Sequence, residues 1–147
     1  MSLEDLHPFV GRWDVTAEFP RTADVEPMDG TTEFAWLLNG TFLTQRGEVD
    51  HPDAPAMYAV IAAGEDGGYV QHYFDSRDVV RTYQMGFDGT VWTLERSQPD
   101  FSPLDFAQRF TATFEDPDTI VGHWDIQVPD EDWQHDFAIT YRRHGGG

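Results

Sequence analysis

The chain contains no cysteine. That removes disulfides, thiolate metal sites and thiol catalysis together, and it is compatible with a reducing compartment. Long apolar runs are also missing: no stretch approaches the roughly eighteen consecutive apolar residues of a membrane-spanning helix. The start, Met1-Ser2-Leu3-Glu4-Asp5, has no basic region followed by an apolar segment, as a secretory leader would. A cytoplasmic protein is expected. Positive charge is scarce as well, with 27 Asp plus Glu against 9 basic residues and a formal charge of −18. All the basic residues are arginine; lysine is absent. Such a surface repels nucleic acid phosphates and anionic membranes, so neither is expected as a partner. An arginine-only, acid-rich composition fits the codon usage of a GC-rich genome or a salt-adapted cytoplasm.

What is present is short, aromatic-rich, β-branched segments with turn residues every eight to twelve positions, the spacing of a sandwich or barrel rather than of a βαβ protein. At 147 residues the chain is the size of one domain, 1–147, and shows no repeat or linker. Only Leu3 to Val10 suits a short helical turn, limited by Pro8. The ending, His144-Gly145-Gly146-Gly147, reads as a frayed tail. Strands are predicted near 12–19, 30–38, 41–49, 56–63, 68–75, 79–87, 90–97, 106–115, 119–128 and 132–143. The fold class is therefore all-β: a single up-and-down antiparallel β-barrel of about ten strands with a short N-terminal helical turn.

Two dipeptides predict register. Asn39-Gly40 and Asp88-Gly89 are favoured in two-residue hairpin loops, whose central residues both need positive φ. Around the first, Leu38 should face Thr41, Trp36 should face Leu43 and Phe34 should face Gln45 on the buried side. Ala35 with Thr44 and Glu33 with Arg46 then lie outside. Around the second, Met85 should face Trp92, Tyr83 should face Leu94 and Arg81 should face Arg96, all inward. Alternation puts Trp13, Val15, Ala17 and Phe19 inside on the first strand. It does the same for Phe106, Gln108, Phe110, Ala112 and Phe114 on the eighth, and for Trp133, His135, Phe137, Ile139 and Tyr141 on the last. One hairpin stays open. A Ser76-Arg77 loop would put His72 on the face of Arg81; a Ser76-Arg77-Asp78 loop with Asp78 left-handed would put Gln71 and Tyr73 there.

Phe9-Val10-Gly11-Arg12-Trp13, at the head of the first strand, resembles the Gly-x-Trp signature of the calycin superfamily of lipocalins, fatty-acid-binding proteins and nitrobindins. Gly11 would let the entering turn pass under the barrel, Trp13 would plug the floor, and Arg142 or Arg143 would lie on the indole face. Together with Leu38-Asn39-Gly40-Thr41-Phe42-Leu43, Tyr73-Phe74-Asp75-Ser76 and Thr140-Tyr141-Arg142, the whole chain resembles a bacterial family of nitrobindin-like, calycin-type domains.

The interior of such a barrel must be filled by side chains, ligand or water. Long polar groups at inward positions, Gln45, Arg81, Tyr83, Arg96, Gln108, His135 and Tyr141, are therefore the notable feature. A buried guanidinium without an anion costs several kcal/mol (about that, by general experience), so two inward arginines call for something negative beside them. Barrel-mouth carboxylates such as Asp75, Asp78 or Glu95 would serve. So would a ligand. The expected function is binding of a small, mainly apolar, anionic molecule by these groups, with Trp36, Met85, Trp92 and Phe110 around its body and no cofactor. Arg81-Thr82-Tyr83 resembles the Arg-x-Tyr carboxylate clamp of fatty-acid-binding proteins, although there it belongs to the final strand, and Pro20 to Asp29 lacks the helical lid of that family.

The nitrobindin resemblance implies a second reading, haem held through His135. A third is a small barrel enzyme of cyclase, isomerase or dehydratase type, with His135, Tyr83 and Arg81 as base, acid and oxyanion stabiliser, although no nucleophile motif or phosphate loop accompanies them. His123 and Asp125 share one face, read as an outer, solvated one, and two ligands do not make a metal site. Gln98 to Leu104, centred on Phe101, is read as a connection at the rim. The expected partners are a small-molecule ligand and, compatible with the sequence, a second copy in a homodimer.

Overall fold

The computed structural model describes residues 3–19, 27–49, 55–64, 68–96, 107–127 and 130–144. A single 3-10 helix, Leu3–Phe9, precedes ten strands: β1 (Gly11–Glu18), β2 (Met28–Leu37), β3 (Phe42–Val49), β4 (Met57–Ala63), β5 (Tyr69–Asp75), β6 (Val79–Phe87), β7 (Val91–Arg96), β8 (Ala107–Asp116), β9 (Thr119–Gln127) and β10 (Gln134–Arg143). Each pairs antiparallel with its sequence neighbour, and β1 pairs with β10, so the sheet closes into a barrel. No helix among the described residues is long and apolar enough to cross a membrane.

The two ends of the barrel differ. One carries the 3-10 helix and the tight connections 38–41, 88–90 and 117–118. Phe9, fully buried, is the hub of the packing there, with ring centroids 5.2 Å from Phe34, 4.9 Å from Phe87, 5.0 Å from Trp92 and 5.2 Å from Phe114. Leu6, Trp13, Leu43, Ile61 and Ile120 complete this core without measurable exposure. Aromatic contacts of this kind contribute roughly 0.5–1.5 kcal/mol each beyond the area they bury. From the opposite end leave the β1–β2, β3–β4, β5–β6, β7–β8 and β9–β10 connections.

Below the core, Trp13 Nε1 donates to Phe9 O at 2.8 Å, which ties the helix to β1. Of the two arginines expected on the indole, Arg143 takes the place, its guanidinium 4.2 Å from the Trp13 ring centroid. The same group donates to Val10 O, Pro8 O and Pro117 O and pairs with Asp118, joining the chain start, the β8–β9 turn and the last strand. Gly11 makes room for it. Its φ is +128°, and a Cβ there would lie 2.8 Å from Arg143 Nη1. His144 is held rather than frayed: its N donates to Arg12 O and its ring meets Asp14 at 3.0 Å. The glycines after it lie outside the described residues.

The register around Asn39-Gly40 is as predicted, with Trp36 opposite Leu43, Phe34 opposite Gln45, Ala35 opposite Thr44 and Glu33 opposite Arg46. At the tip, however, Leu38 itself has φ +52° and is 65% exposed, so the buried pair stops at Trp36 and Leu43. The second hairpin differs from expectation. Phe87 pairs with Trp92 and Met85 with Leu94, because Asp88 Oδ1 accepts from both Thr90 N and Val91 N and Asp88 N donates to Val91 O, which makes Gly89-Thr90 the loop. Only Gly89 then needs positive φ, +102°. Moving the turn centre by one residue displaces every partner by two, which preserves the face. Arg81, Tyr83, Met85, Trp92, Leu94 and Arg96 thus all remain inward, but Arg81 does not stand opposite Arg96. The open hairpin resolves to the three-residue loop, with Asp78 at φ +67°, Tyr73 opposite Arg81 and Gln71 opposite Tyr83. His72 is outside and exposed.

Candidate functional site

Above the aromatic core the barrel is hollow. The cavity holds about 530 Å³ and is lined from all ten strands, mostly by their halves remote from the 3-10 helix, with Trp92 and Tyr141 forming its floor on the aromatic core. Small side chains make the space: Ala17 on β1, Gly30 on β2 and Gly47 on β3 stand where larger groups would fill it. One wall is apolar, built from Val15, Ala17 and Phe19 with Met28, Phe137 and Ile139. The facing wall, on β5 and β6 with β3 and β8 to either side, carries Gln45, Gln71, Tyr73, Arg81, Tyr83 and Gln108.

These polar groups form two short networks. Gln71 Nε2 donates to Gln45 Oε1 at 3.1 Å, and Gln45 in turn bonds the Tyr141 hydroxyl. Gln108 Oε1 accepts from Tyr83 Oη at 2.9 Å and from Arg96 Nε at 3.2 Å. Burial raises the Tyr141 hydroxyl above the ordinary phenol range, with Gln45 opposing it, so that group stays protonated and acts through hydrogen bonding alone. Arg81 is 6% exposed and still reaches the cavity wall. Nearer the mouth, Tyr73 Oη donates to Asp75 Oδ2 at 2.8 Å, and Arg77 bonds the same carboxylate through Nη2, Nε and its backbone N. Burial pulls the Asp75 carboxyl upward, but these bonds outweigh it and hold the group below the usual range. Of the carboxylates expected near the inner arginines, Asp75 is thus engaged with Arg77 and Tyr73.

Of the residues expected to bind ligand, Gln45, Arg81, Tyr83, Trp92, Gln108, Phe110 and Tyr141 come together around the cavity. The others do not line it. Trp36 and Met85 face inward but lie in the filled half of the barrel, since alternation gives the face of a residue and not its depth. Arg96 is 3% exposed and sits behind Gln108. His135 is on the outer wall. A β-bulge between His135 and Phe137 inverts the alternation before it, so Phe137 pairs with Trp124 inside while His135 pairs with Asp125 outside. Trp133, also expected inside, lies 37% exposed with Arg109 stacked 4.4 Å over its ring.

The bulge also brings Asp136 to the cavity, where burial raises its carboxyl, His135 opposes and Asp125 adds. His135, half-exposed at 48%, therefore does not fit an interior haem ligand, and no described histidine lines the cavity. It also cannot act as a base there, which removes the catalytic set that included it. On the outer wall Asp125 lies 3.3 Å from His123, 3.9 Å from His135 and 3.7 Å from Arg109. Among the described residues no group of three or more ligating side chains is arranged to hold a metal ion. Sequence reasoning missed Trp124, whose ring lies 4.9 Å from Phe110 and 5.6 Å from Tyr83. Placing His123 and Asp125 outside already implied that Trp124 points in. Phe106 and Gln98 to Leu104 lie outside the described residues.

A ten-strand antiparallel barrel, plugged at one end and hollow with one polar wall at the other, has the architecture of a protein that encloses a small molecule. The chain belongs to a family described as "Protein of unknown function (DUF1579)", whose profile matches residues 4–143. No curated protein sequence matches it. Among solved structures it is similar to one titled "Crystal Structure of Rv2717c from M. tuberculosis", at 16% identity and a TM-score of 0.68, over 97% of this chain and 96% of that one. That likeness is one of fold.

Proposed function

We propose that this barrel binds a small, mainly apolar molecule carrying an anionic group, and that it is a calycin-type, nitrobindin-like domain acting as a cytoplasmic binding module without a cofactor. The observation that carries the reading is Arg81, a guanidinium set almost out of solvent in the wall of an otherwise largely apolar cavity. In such a place an ionic hydrogen bond to a carboxylate or similar group is worth more than in water, on the order of 1.5–3 kcal/mol. Gln71, Tyr83 and Gln108, on the same side, supply amide and hydroxyl groups for the rest of a polar head. Val15, Phe19, Met28, Phe137 and Ile139 oppose them as a surface for a hydrocarbon or aromatic body.

Octanoate tests this directly, because Trp92 and Trp124 line the cavity and report occupancy through their emission. Saturable, one-to-one quenching or enhancement is expected. Unchanged emission up to millimolar octanoate, with an empty barrel in native mass spectra of untreated protein, would contradict the proposal.

A further inference from the structure

The two hydrogen-bond networks on the polar wall of the cavity differ in one respect. In the chain from Gln71 through Gln45 to Tyr141, every member is an amide or a hydroxyl, able to donate or to accept. Turning both amides over and rotating the hydroxyl reverses its direction, so that side of the cavity meets a ligand donor and a ligand acceptor equally well. The network around Gln108 cannot reverse. Arg96 Nε lies 3.2 Å from Gln108 Oε1, and a guanidinium only donates. The Gln108 atom that faces Arg96 therefore has to be the amide oxygen. Tyr83 Oη, 2.9 Å from the same oxygen, is thereby committed to donating as well.

The consequence falls on the other end of the amide. With its oxygen engaged by Arg96 and Tyr83, Gln108 has Nε2 left, a donor-only nitrogen with no hydrogen bond to another described residue. Gln108 lines the cavity and is 8% exposed, so an occupant takes this nitrogen out of solvent and has to offer it an acceptor. Arg81 lines the same cavity, on the inward face of β6 two residues nearer the mouth than Tyr83.

We infer that Gln108 Nε2 donates to the ligand's anionic group alongside Arg81, and that Arg96 is a positioning residue that keeps this nitrogen turned to the cavity. The inference rests on the anionic-ligand reading above and adds to it the side chain that selects hydrogen-bond polarity. Arg96 does not line the cavity and is 3% exposed; it acts on the ligand through Gln108, its direct partner in the β7–β8 ladder. The ligand class narrows accordingly. A carboxylate or another acceptor-only group is admitted beside Gln108, and an ammonium, which has only donors, is refused.

Two neutral probes separate hydrogen-bond polarity from charge: octan-2-one only accepts, whereas octan-1-ol also donates. Calorimetry gives their affinities, and that of octanoate, in the wild type and in variants. In Gln108→Glu the new carboxylate still accepts from Arg96 and Tyr83, so the barrel keeps its network, but no donor is left for the cavity. Octan-2-one should then bind about two- to tenfold more weakly, octan-1-ol no more weakly than before, and octanoate at least about tenfold more weakly. Arg96→Gln keeps a partner for the amide but one that can accept as well as donate, which frees Gln108 to turn over. The alcohol-to-ketone affinity ratio should rise at least about twofold, and Arg96→Lys, which only donates, should restore it. A merely structural role for Arg96 would weaken both probes alike; urea denaturation confirms that each variant folds. The same alcohol-to-ketone ratio in the wild type and Gln108→Glu would overturn the inference while octanoate binding by the wild type leaves the anionic reading standing. An effect of Gln108→Glu without one of Arg96→Gln would overturn the role of Arg96. No octanoate binding by the wild type would overturn both readings.

Discussion

Replacing Arg143 should loosen the plugged end of the barrel more than any other single surface-accessible side chain we describe. Its guanidinium lies 4.2 Å from the Trp13 ring centroid and donates to three backbone carbonyls, of Val10, Pro8 and Pro117, at 2.9–3.1 Å. A partly desolvated cation–π contact contributes about 1 kcal/mol. Each charged hydrogen bond to a carbonyl adds about 1 kcal/mol once exposure is allowed for, while the exposed pair with Asp118 adds little. Arg143→Ala should therefore cost about 3–4 kcal/mol, or on the order of 10 °C in Tm for a chain of this size. Urea denaturation at equilibrium measures the first figure and thermal melting the second. Arg143→Lys should recover the charge but not the planar fork, and fall between. A double-mutant cycle with Trp13→Leu should return about 1 kcal/mol of coupling. A loss below 1 kcal/mol for Arg143→Ala, or no coupling, would refute the idea that this side chain fastens the floor.

Gly11→Ala should cost about 1–3 kcal/mol in the same urea experiment, because φ is +128° and the added Cβ meets Arg143 Nη1. Gln108→Leu removes the oxygen shared by Tyr83 Oη and Arg96 Nε, and should lower stability by about 2–3 kcal/mol. The stabilisation from Asp75, whose carboxyl is held below its unfolded value of about 3.9, is fully present above that pH and lost as pH falls through the lower folded value. The stability difference between the wild type and Asp75→Asn should accordingly be flat from pH 5 to 7 and shrink below about pH 4. Asp136→Asn removes a negative charge from the cavity and should tighten octanoate binding at pH 7, as read by calorimetry. Haemin added to the protein should give the same Soret absorption with and without His135→Ala, since that ring stands on the outer wall.

How far the sequence could be read depended on the scale of the feature. Strand positions and the inward face followed from alternation and turn spacing, since both are period-two properties that survive a displacement of pairing by two, as at Asp88. The Asn39-Gly40 register was legible because that dipeptide sits at the centre of its turn. At Asp88-Gly89 the aspartate instead bonds forward to Thr90 N and Val91 N, a side-chain effect that competes with the dipeptide rule. The bulge before Phe137 was not legible, because an extra residue in one strand leaves no composition signal, and it moved His135 outside, while Trp133 precedes β10 altogether. Depth was equally hidden. Met85 and Tyr83 share a face and alternate with the same neighbours, but one packs into the core and the other borders the cavity.

The most direct test of the ligand reading is the preference for octanoate over octan-1-ol, measured by calorimetry in the wild type and in Arg81→Gln. If the guanidinium in the cavity wall meets an anion, the wild type prefers the carboxylate and the variant loses that preference by roughly ten- to a hundredfold, with the alcohol affected little. The same ratio in both proteins would show that Arg81 serves the barrel and not its contents.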